Sequence, residues 1–280
     1  MAGPSWLFCP ADRPERFAKA ADTADVVILD LEDGVGADDR PAARKALLDT
    51  PLDPARTVVR INPAGTEDQR LDLEALRQTE YRVVMLPKAE SAEEARSLVA
   101  LEVIALVESP RGVLTVGEIA QVPNVIGTMW GAEDLIAGLG GKGSRHADGS
   151  YRDVARHLRS TTLLAAKSYG RFALDGVYLN IKDLDGLRDE AIDAVGSGFD
   201  AKVSIHPSQV PVVREAYLPS AEELDWARRV LAAATGERGV FSFEGKMVDA
   251  PVFRHAEQIV ARASGPVESR TNESSAMGGA

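Results

Sequence analysis

The 280-residue chain contains a single cysteine, Cys9, and only four histidines. One cysteine excludes an internal disulfide and fits a reducing cytoplasm. No window approaches the roughly 18 apolar residues of a membrane span. The opening MAGPSWLFCP also lacks the charged and apolar regions of a signal peptide. Positive charge is not in excess: 32 Lys and Arg against 43 Asp and Glu leave a net charge of −11. That balance excludes a general nucleic-acid binder, yet leaves room for a local Arg and Lys cluster that takes a small anion. A Gly-rich nucleotide turn is missing too. No G-x-G-x-x-G or P-loop follows a strand, and GLGGKGS (138–144) lacks the Lys-Ser/Thr pair.

What the chain does have is eight short β-rich runs: SWLFCP (5–10), VVILDLE (26–32), TVVRIN (57–62), RVVMLPK (82–88), EVIALVE (102–108), NVIGTMWG (124–131), ALDGVYLN (173–180) and KVSIHP (202–207). Amphipathic stretches such as PERFAKAAD, PAARKALLD, SAEEARSLV and YRDVARHLRSTTLLAAKSYG separate them. Strands that read as continuous apolar runs are buried on both faces, as in a parallel sheet wrapped by helices. Eight such units predict a closed (β/α)8 barrel over residues 1–219, with an open doubly wound sheet as the weaker alternative. The pattern changes beyond it. AEELDWARRVLAAATGERG predicts a helix ending at a Gly, and FSFEGKMVDAPVFRHAEQIVARA a turn and a second helix, giving an extension over 220–263. Residues 264–280 are small and polar and are expected to be disordered.

Active sites of such barrels lie at the C-terminal ends of the strands. Those ends carry Asp30, Glu32 and Asp33, then Arg60 and Asn62, Lys88, Glu108, Glu133 and Asp134, Asn180, and His206. Three carboxylates on one turn, in VVILDLEDGV, repel one another and require a cation nearby. Oxygen-only acids with no Cys or His pair suit a hard cation such as Mg²⁺ rather than zinc. Glu108 and Asp134 end adjacent strands and could share one ion. The alternatives are a Glu108–Arg111 ion pair and an N-cap at Asp134. Arg60 could clamp a carboxylate through its planar fork, or serve as partner of Glu32 or Asp33. A lone His206 before Pro at a strand end is more often structural than catalytic, and Cys9 reads as packing.

The motifs DxxxRFxKA, VVILDLEDGV, VVRIN, MLPKAES, ALVESPRG, MWGAEDL, VSIHPSQV and FEGKMVDAPV occur in that order, from Trp6 to about Ala263. Together they resemble the citrate lyase β-subunit-like branch of the HpcH/HpaI aldolase superfamily. The resemblance implies a (β/α)8 barrel, assembled as a trimer or trimer pair, acting on coenzyme A thioesters of β-hydroxy acids. It implies that Glu108 and Asp134 hold Mg²⁺ and that Arg60 grips the substrate, oriented by Glu32 and Asp33. Arg13 and Lys19 would contact CoA phosphates, and Gly131 and Ala132 of MWGAEDL would bind substrate. Asp249 would be supplied to the active site by a neighbouring subunit's C-terminal lid. Asn180 stands where many relatives have Asp, and receives no role.

On this footing the expected reaction is Mg²⁺-dependent retro-aldol cleavage of a malyl-, citramalyl- or hydroxymethylglutaryl-CoA-like thioester to an acyl-CoA and an α-keto acid. The alternatives are a thioesterase on the same site, a phosphoenolpyruvate or free-acid aldolase, and a non-catalytic barrel retained for assembly.

Overall fold

A computed structural model describes residues 3–233 and 240–263. The first five β/α pairs run β1 (Ser5–Pro10), α1 (Phe17–Thr23), β2 (Val26–Asp30), α2 (Arg40–Asp49), β3 (Thr57–Arg60), α3 (Glu67–Leu76), β4 (Val83–Leu86), α4 (Ala92–Ser97), β5 (Glu102–Val107) and α5 (Pro110–Ala120). Then come β6 (Val125–Trp130), α6 (Ala132–Gly138), α7 (Asp153–Ser168), β7 (Phe172–Asp175), α8 (Leu184–Ser197), β8 (Ala201–Ser204) and α9 (Val210–Tyr217). Neighbouring strands pair in parallel all the way round, and β8 pairs with β1. The closed eight-stranded barrel expected from the sequence is present.

Burial on both strand faces accounts for the unbroken apolar runs. Trp6, Val26, Ile28, Val58, Met85, Ile104 and Leu106 point into the barrel, where Trp6 stacks on Phe172 with centroids 5.7 Å apart. Their neighbours Leu7, Val27, Leu29, Val59 and Ala105 face outward onto Phe17, Leu47 and Ile119 of the helices. Each such aliphatic side chain contributes about 1.5–3 kcal/mol by leaving water. Helix starts are marked chemically. Thr66, Ser91 and Ser109 cap α3, α4 and α5, with Glu94 completing a capping box at Ser91.

Two compact units divide the chain after Ala216. In the second, α10 (Ala221–Ala233) is followed by β9 (Phe241–Phe243), β10 (Lys246–Val248) and α11 (Ala250–Ala263). The segment predicted as a turn is thus a β-hairpin. Glu244 and Gly245 both take positive φ, 51° and 74°, as a two-residue hairpin loop demands. Ala227, Val230, Val248, Ala256 and Ile259 form the core of this unit. The Gly expected to end α10 and the tail over 264–280 lie outside the described residues. Among the described residues no helix is long and apolar enough to cross a membrane.

Candidate active site

The turn after β2 is built around Asp30. Its carboxylate accepts from Glu32 N at 3.0 Å and Gly34 N at 2.8 Å. Gly34 is there for space, since a Cβ at that position would lie 2.4 Å from Asp30 Oδ2. The same carboxylate takes two bonds from Arg60, Nε to Oδ1 at 2.7 Å and Nη2 to Oδ2 at 2.6 Å. Register explains the meeting, because Asp30 and Arg60 face each other across the β2–β3 ladder. Arg60 Nη1 also lies 2.9 Å from Glu32 Oε2, as an ion pair without hydrogen-bond alignment, so that buried oxygen accepts no hydrogen bond among the described residues. The guanidinium sits 4.7 Å over the Phe8 ring. Burial alone would lower its proton affinity, but the bonds it donates to Asp30 and the charges of Asp30, Glu32 and Glu108 raise it. Behind the turn, Asn62 donates to Leu31 O at 3.0 Å and to buried Asp72 at 2.8 Å, tying the ends of β2 and β3 to α3.

Lys88 follows β4 with φ at 50°, in the left-handed region that a lysine adopts at a cost of roughly 1–3 kcal/mol. Both ends of the residue are held. Its backbone N donates to Glu108 Oε1 at 2.9 Å. Its Nζ donates to Glu32 Oε1 at 2.5 Å and lies 3.4 Å from Asp134, 3.5 Å from Asp33 and 4.0 Å from Glu108. Five carboxylates thus lie within 4.0 Å of two cations, Arg60 and Lys88. This is the cationic partner that the turn's acids required.

Glu108 directly follows β5, is 4% exposed, and packs its carboxylate against Gly131, where a Cβ would lie 2.7 Å from Oε2. Burial, reinforced by the charge of Asp134, pushes Glu108 up to about 8. Asp134 lies in the first turn of α6, whose N-cap is Gly131, so the capping role considered for Asp134 is not the one it has. No Glu108–Arg111 pair forms among the described residues.

These groups border a cavity of about 380 Å³ at the C-terminal ends of the strands. Asp30, Asp33, Arg60, Glu108 and Asp134 line one part of it, with Gly131 and Ala132 beside them. Leu106, Met129, Trp130, Tyr151, Val177 and Ile205 are among those lining the rest, which also includes Glu133. Trp130 is anchored by Asp175 at 2.8 Å and meets the Tyr151 ring edge-on at 5.1 Å. Asp175, fully buried at the end of β7, also takes Lys202 at 2.7 Å and Arg159 at 2.9 Å. Burial would raise this carboxyl, but Lys202 and Arg159 hold it below the usual carboxylate range.

The sequence expectations meet the structure unevenly. Arg60, Glu32, Asp33, Glu108, Asp134, Gly131 and Ala132 gather at one mouth. Asp33 sits beside Lys88 rather than Arg60, and it is Asp30 that shares with Glu32 the orienting of the guanidinium. Arg13 and Lys19 are exposed before and on α1, with Arg13 paired to Asp12 at 3.7 Å. Asp249 lies in the second unit, between β10 and α11, where it accepts from Val252 N at 3.3 Å. His206 accepts from Ser208 N at 3.2 Å as the cap of a short 3-10 turn, a structural role. The sequence places Asp30 at a strand end without pairing it to Arg60, and it singles out neither Asp175 nor Tyr151; pairing and register reveal these roles.

A family model described as HpcH/HpaI aldolase/citrate lyase matches residues 5–207, and one described as a C-C bond lyase of the TIM-barrel fold matches residues 151–265. A citrate lyase subunit beta-like protein of Mycobacterium tuberculosis is 66% identical over 262 residues, covering 94% of this chain and 96% of the relative. A (3S)-malyl-CoA thioesterase of Cereibacter sphaeroides is 34% identical over 276 residues, covering 92% and 94%. The crystal structure of CitE from M. tuberculosis in complex with magnesium, acetoacetate and coenzyme A aligns with a TM-score of 0.91 at 66% identity, over 94% of this chain and 98% of that one.

Proposed function

This chain belongs to the HpcH/HpaI aldolase/citrate lyase family as a citrate lyase β-like carbon–carbon lyase, and from that premise we propose that it cleaves a β-hydroxyacyl-CoA thioester of the malyl, citramalyl or hydroxymethylglutaryl type. The observation that carries the reading is the mouth itself, where Arg60, Glu108 and Asp134, with Asp30, Asp33 and Glu133, line one cavity of about 380 Å³ that also has a largely apolar part, Leu106, Met129, Trp130, Val177, Leu179 and Ile205. That is room for a short carboxylic acid and its hydroxyl-bearing carbon, with the pantetheine arm leading outward.

Mg²⁺ fits the donors present. Glu108 and Asp134 are hard oxygen ligands, and among the described residues the cation that their carboxyl groups pair with is Lys88, whose Nζ lies at 4.0 and 3.4 Å. Among the described residues no three His, Cys, Asp or Glu side chains gather as a metal cage. Mg²⁺ bound by two carboxylates fills its remaining positions with waters and substrate oxygens. Glu108 and Asp134 would hold it, and when bound it supplies Lewis-acid stabilisation of oxygen charge.

In cleavage the β-hydroxyl gives its proton to water at the mouth, the Cα–Cβ bond breaks, and its electron pair moves to the thioester carbonyl as an enolate. The hydroxyl-bearing carbon leaves as a keto acid, and a proton added at Cα completes the acyl-CoA. Arg60 holds the carboxylate or keto end with the guanidinium N–H groups not used on Asp30. Asp30 and Glu32 fix its plane in advance, so that little reorganisation accompanies the reaction. Trp130, Tyr151, Met129 and Leu106 exclude water from the breaking bond. Arg13 and Lys19 engage the CoA phosphates. Asp249, brought by the extension over 220–263 of a neighbouring subunit in a homotrimer or trimer pair, exchanges the proton at Cα.

A second reading has a specific support: the thioesterase relative at 34% identity. Water attacking the thioester in the same mouth would release CoA and leave the hydroxy acid whole. Incubation with malyl-, citramalyl- and hydroxymethylglutaryl-CoA plus Mg²⁺, with products resolved by mass, separates the two. Acyl-CoA with keto acid supports the lyase. Free CoA with intact hydroxy acid replaces it by the thioesterase, and turnover of free acids alone overturns both.

A further inference from the structure

Lys88 is gripped at both ends by acids of the mouth. The left-handed backbone places its N–H on Glu108 Oε1 at 2.9 Å, while its ammonium reaches Glu32 Oε1 at 2.5 Å. From there the same Nζ lies 3.4 Å from Asp134 and 4.0 Å from Glu108. A divalent ion held by those two carboxylates would share them with the ammonium and so be its near neighbour. The resulting repulsion between a dication and a monocation is strong at short range unless water screens it. Lys88 is 34% exposed on its side chain, so screening is partial.

We propose that Lys88 is a positioning residue that sets divalent-cation affinity: its ammonium partly neutralises the Glu32, Asp33, Glu108 and Asp134 cluster and competes with the ion for Asp134 and Glu108. This rests on the reading of Glu108 and Asp134 as the ligands. Removing the ammonium withdraws a positive charge from the ion's surroundings and releases Glu32 from its shortest partner, and both changes favour the ion. Lys88 also joins the two halves of the mouth, because Glu32 is shared between Lys88 and Arg60. The charge that tunes the ion therefore also restrains the group facing the substrate clamp.

The test is direct titration of the purified full-length protein with Mn²⁺ by electron paramagnetic resonance and with Mg²⁺ by calorimetry. Wild type is compared with Lys88→Met, Lys88→Asn, Lys88→Arg and Glu108→Gln, after thermal melts in EDTA have shown which variants are folded. Asn adopts the left-handed backbone readily, so the neutral substitution remains testable if Met does not fold. Lys88→Met and Lys88→Asn are expected to bind the ion about tenfold tighter, an effect that shrinks as salt is raised. Lys88→Arg, which keeps the charge, is expected to stay near wild type. Unchanged or weaker binding in both neutral variants, with Glu108→Gln losing the ion, overturns this proposal alone. Undiminished binding by Glu108→Gln overturns the ligand assignment and this proposal with it.

Discussion

Arg60 and Asp30 share two parallel hydrogen bonds across the β2–β3 ladder, at 2.7 and 2.6 Å. A fork-to-fork pair of this kind needs a planar guanidinium, and an ammonium cannot supply the second parallel donor. Arg60→Lys therefore keeps the charge and loses the alignment. The expected outcome is a fall in kcat/KM of about 100-fold, the range seen when an oriented donor is removed from a reacting oxygen. Arg60→Ala, by contrast, leaves Asp30 and Glu32 buried with one cation fewer and should cost about 3–5 kcal/mol of stability. Steady-state kinetics and thermal melts on the two variants tell these effects apart.

Gly131 makes room for a carboxylate. A Cβ there would lie 2.7 Å from Glu108 Oε2 and 3.0 Å from Glu108 Cβ. Gly131→Ala is expected to displace Glu108 and lower kcat by about 10–100-fold, as small misplacements of reacting groups do. Melting behaviour should change little, because the mouth and not the core is disturbed. Wild-type kcat in the alanine variant would show that Glu108 can shift without consequence.

Glu108 gives the metal-free protein a pH dependence of stability. Its carboxyl stands at about 8 in the folded chain against the ordinary 4.5, raised first by burial and then by Asp134. Between those values the folded state holds a proton that the unfolded chain has lost. The contribution is full below about 4.5 and disappears as the pH rises through about 8. In EDTA, wild-type melting temperature should therefore decline from about pH 5 to pH 9 more steeply than that of Glu108→Gln. Parallel curves would mean that Glu108 carries no such proton.

The buried charges under the apolar wall bear on folding rather than on turnover. Asp175 accepts from Trp130, Arg159 and Lys202, and Lys202 is itself 1% exposed. Asp175→Asn leaves that ammonium without its carboxylate, at an expected cost of about 3–5 kcal/mol, read by denaturant unfolding. In the wild type, Asp175 titrates below its ordinary range, so its contribution holds above about pH 4 and is lost only as the pH falls through the lower folded value.

The barrel was legible because both strand faces are buried. VVILD, TVVR and VVML stand out as apolar runs even without alternation, and each forms a strand. The strand ends were less so. The run VVILDLE leaves the ladder after Asp30, and ALDGVYLN after Asp175, and each Asp side chain binds partners on other strands. Which acid faces Arg60 depended on register, and neither spacing nor composition reports register.

Lys88 shows the same limit from the other side. MLPKAE places a base at a strand end, but the left-handed backbone and the amide bond to Glu108 appear only once β4 and β5 are side by side. The hairpin over 241–248 was hidden for a different reason. Each strand has three residues, too short to show a period of two.

The most direct test of the mouth as a metal-dependent lyase is keto acid formed per enzyme from the preferred hydroxyacyl-CoA. It would be measured for wild type, Glu108→Gln and Asp134→Asn, each with Mg²⁺ and with EDTA. Keto acid from wild type with Mg²⁺, and none with EDTA or from either folded variant, is the expected result. Keto acid production that survives EDTA and both substitutions would contradict the assignment of Glu108 and Asp134, and with it the mechanism built on this mouth.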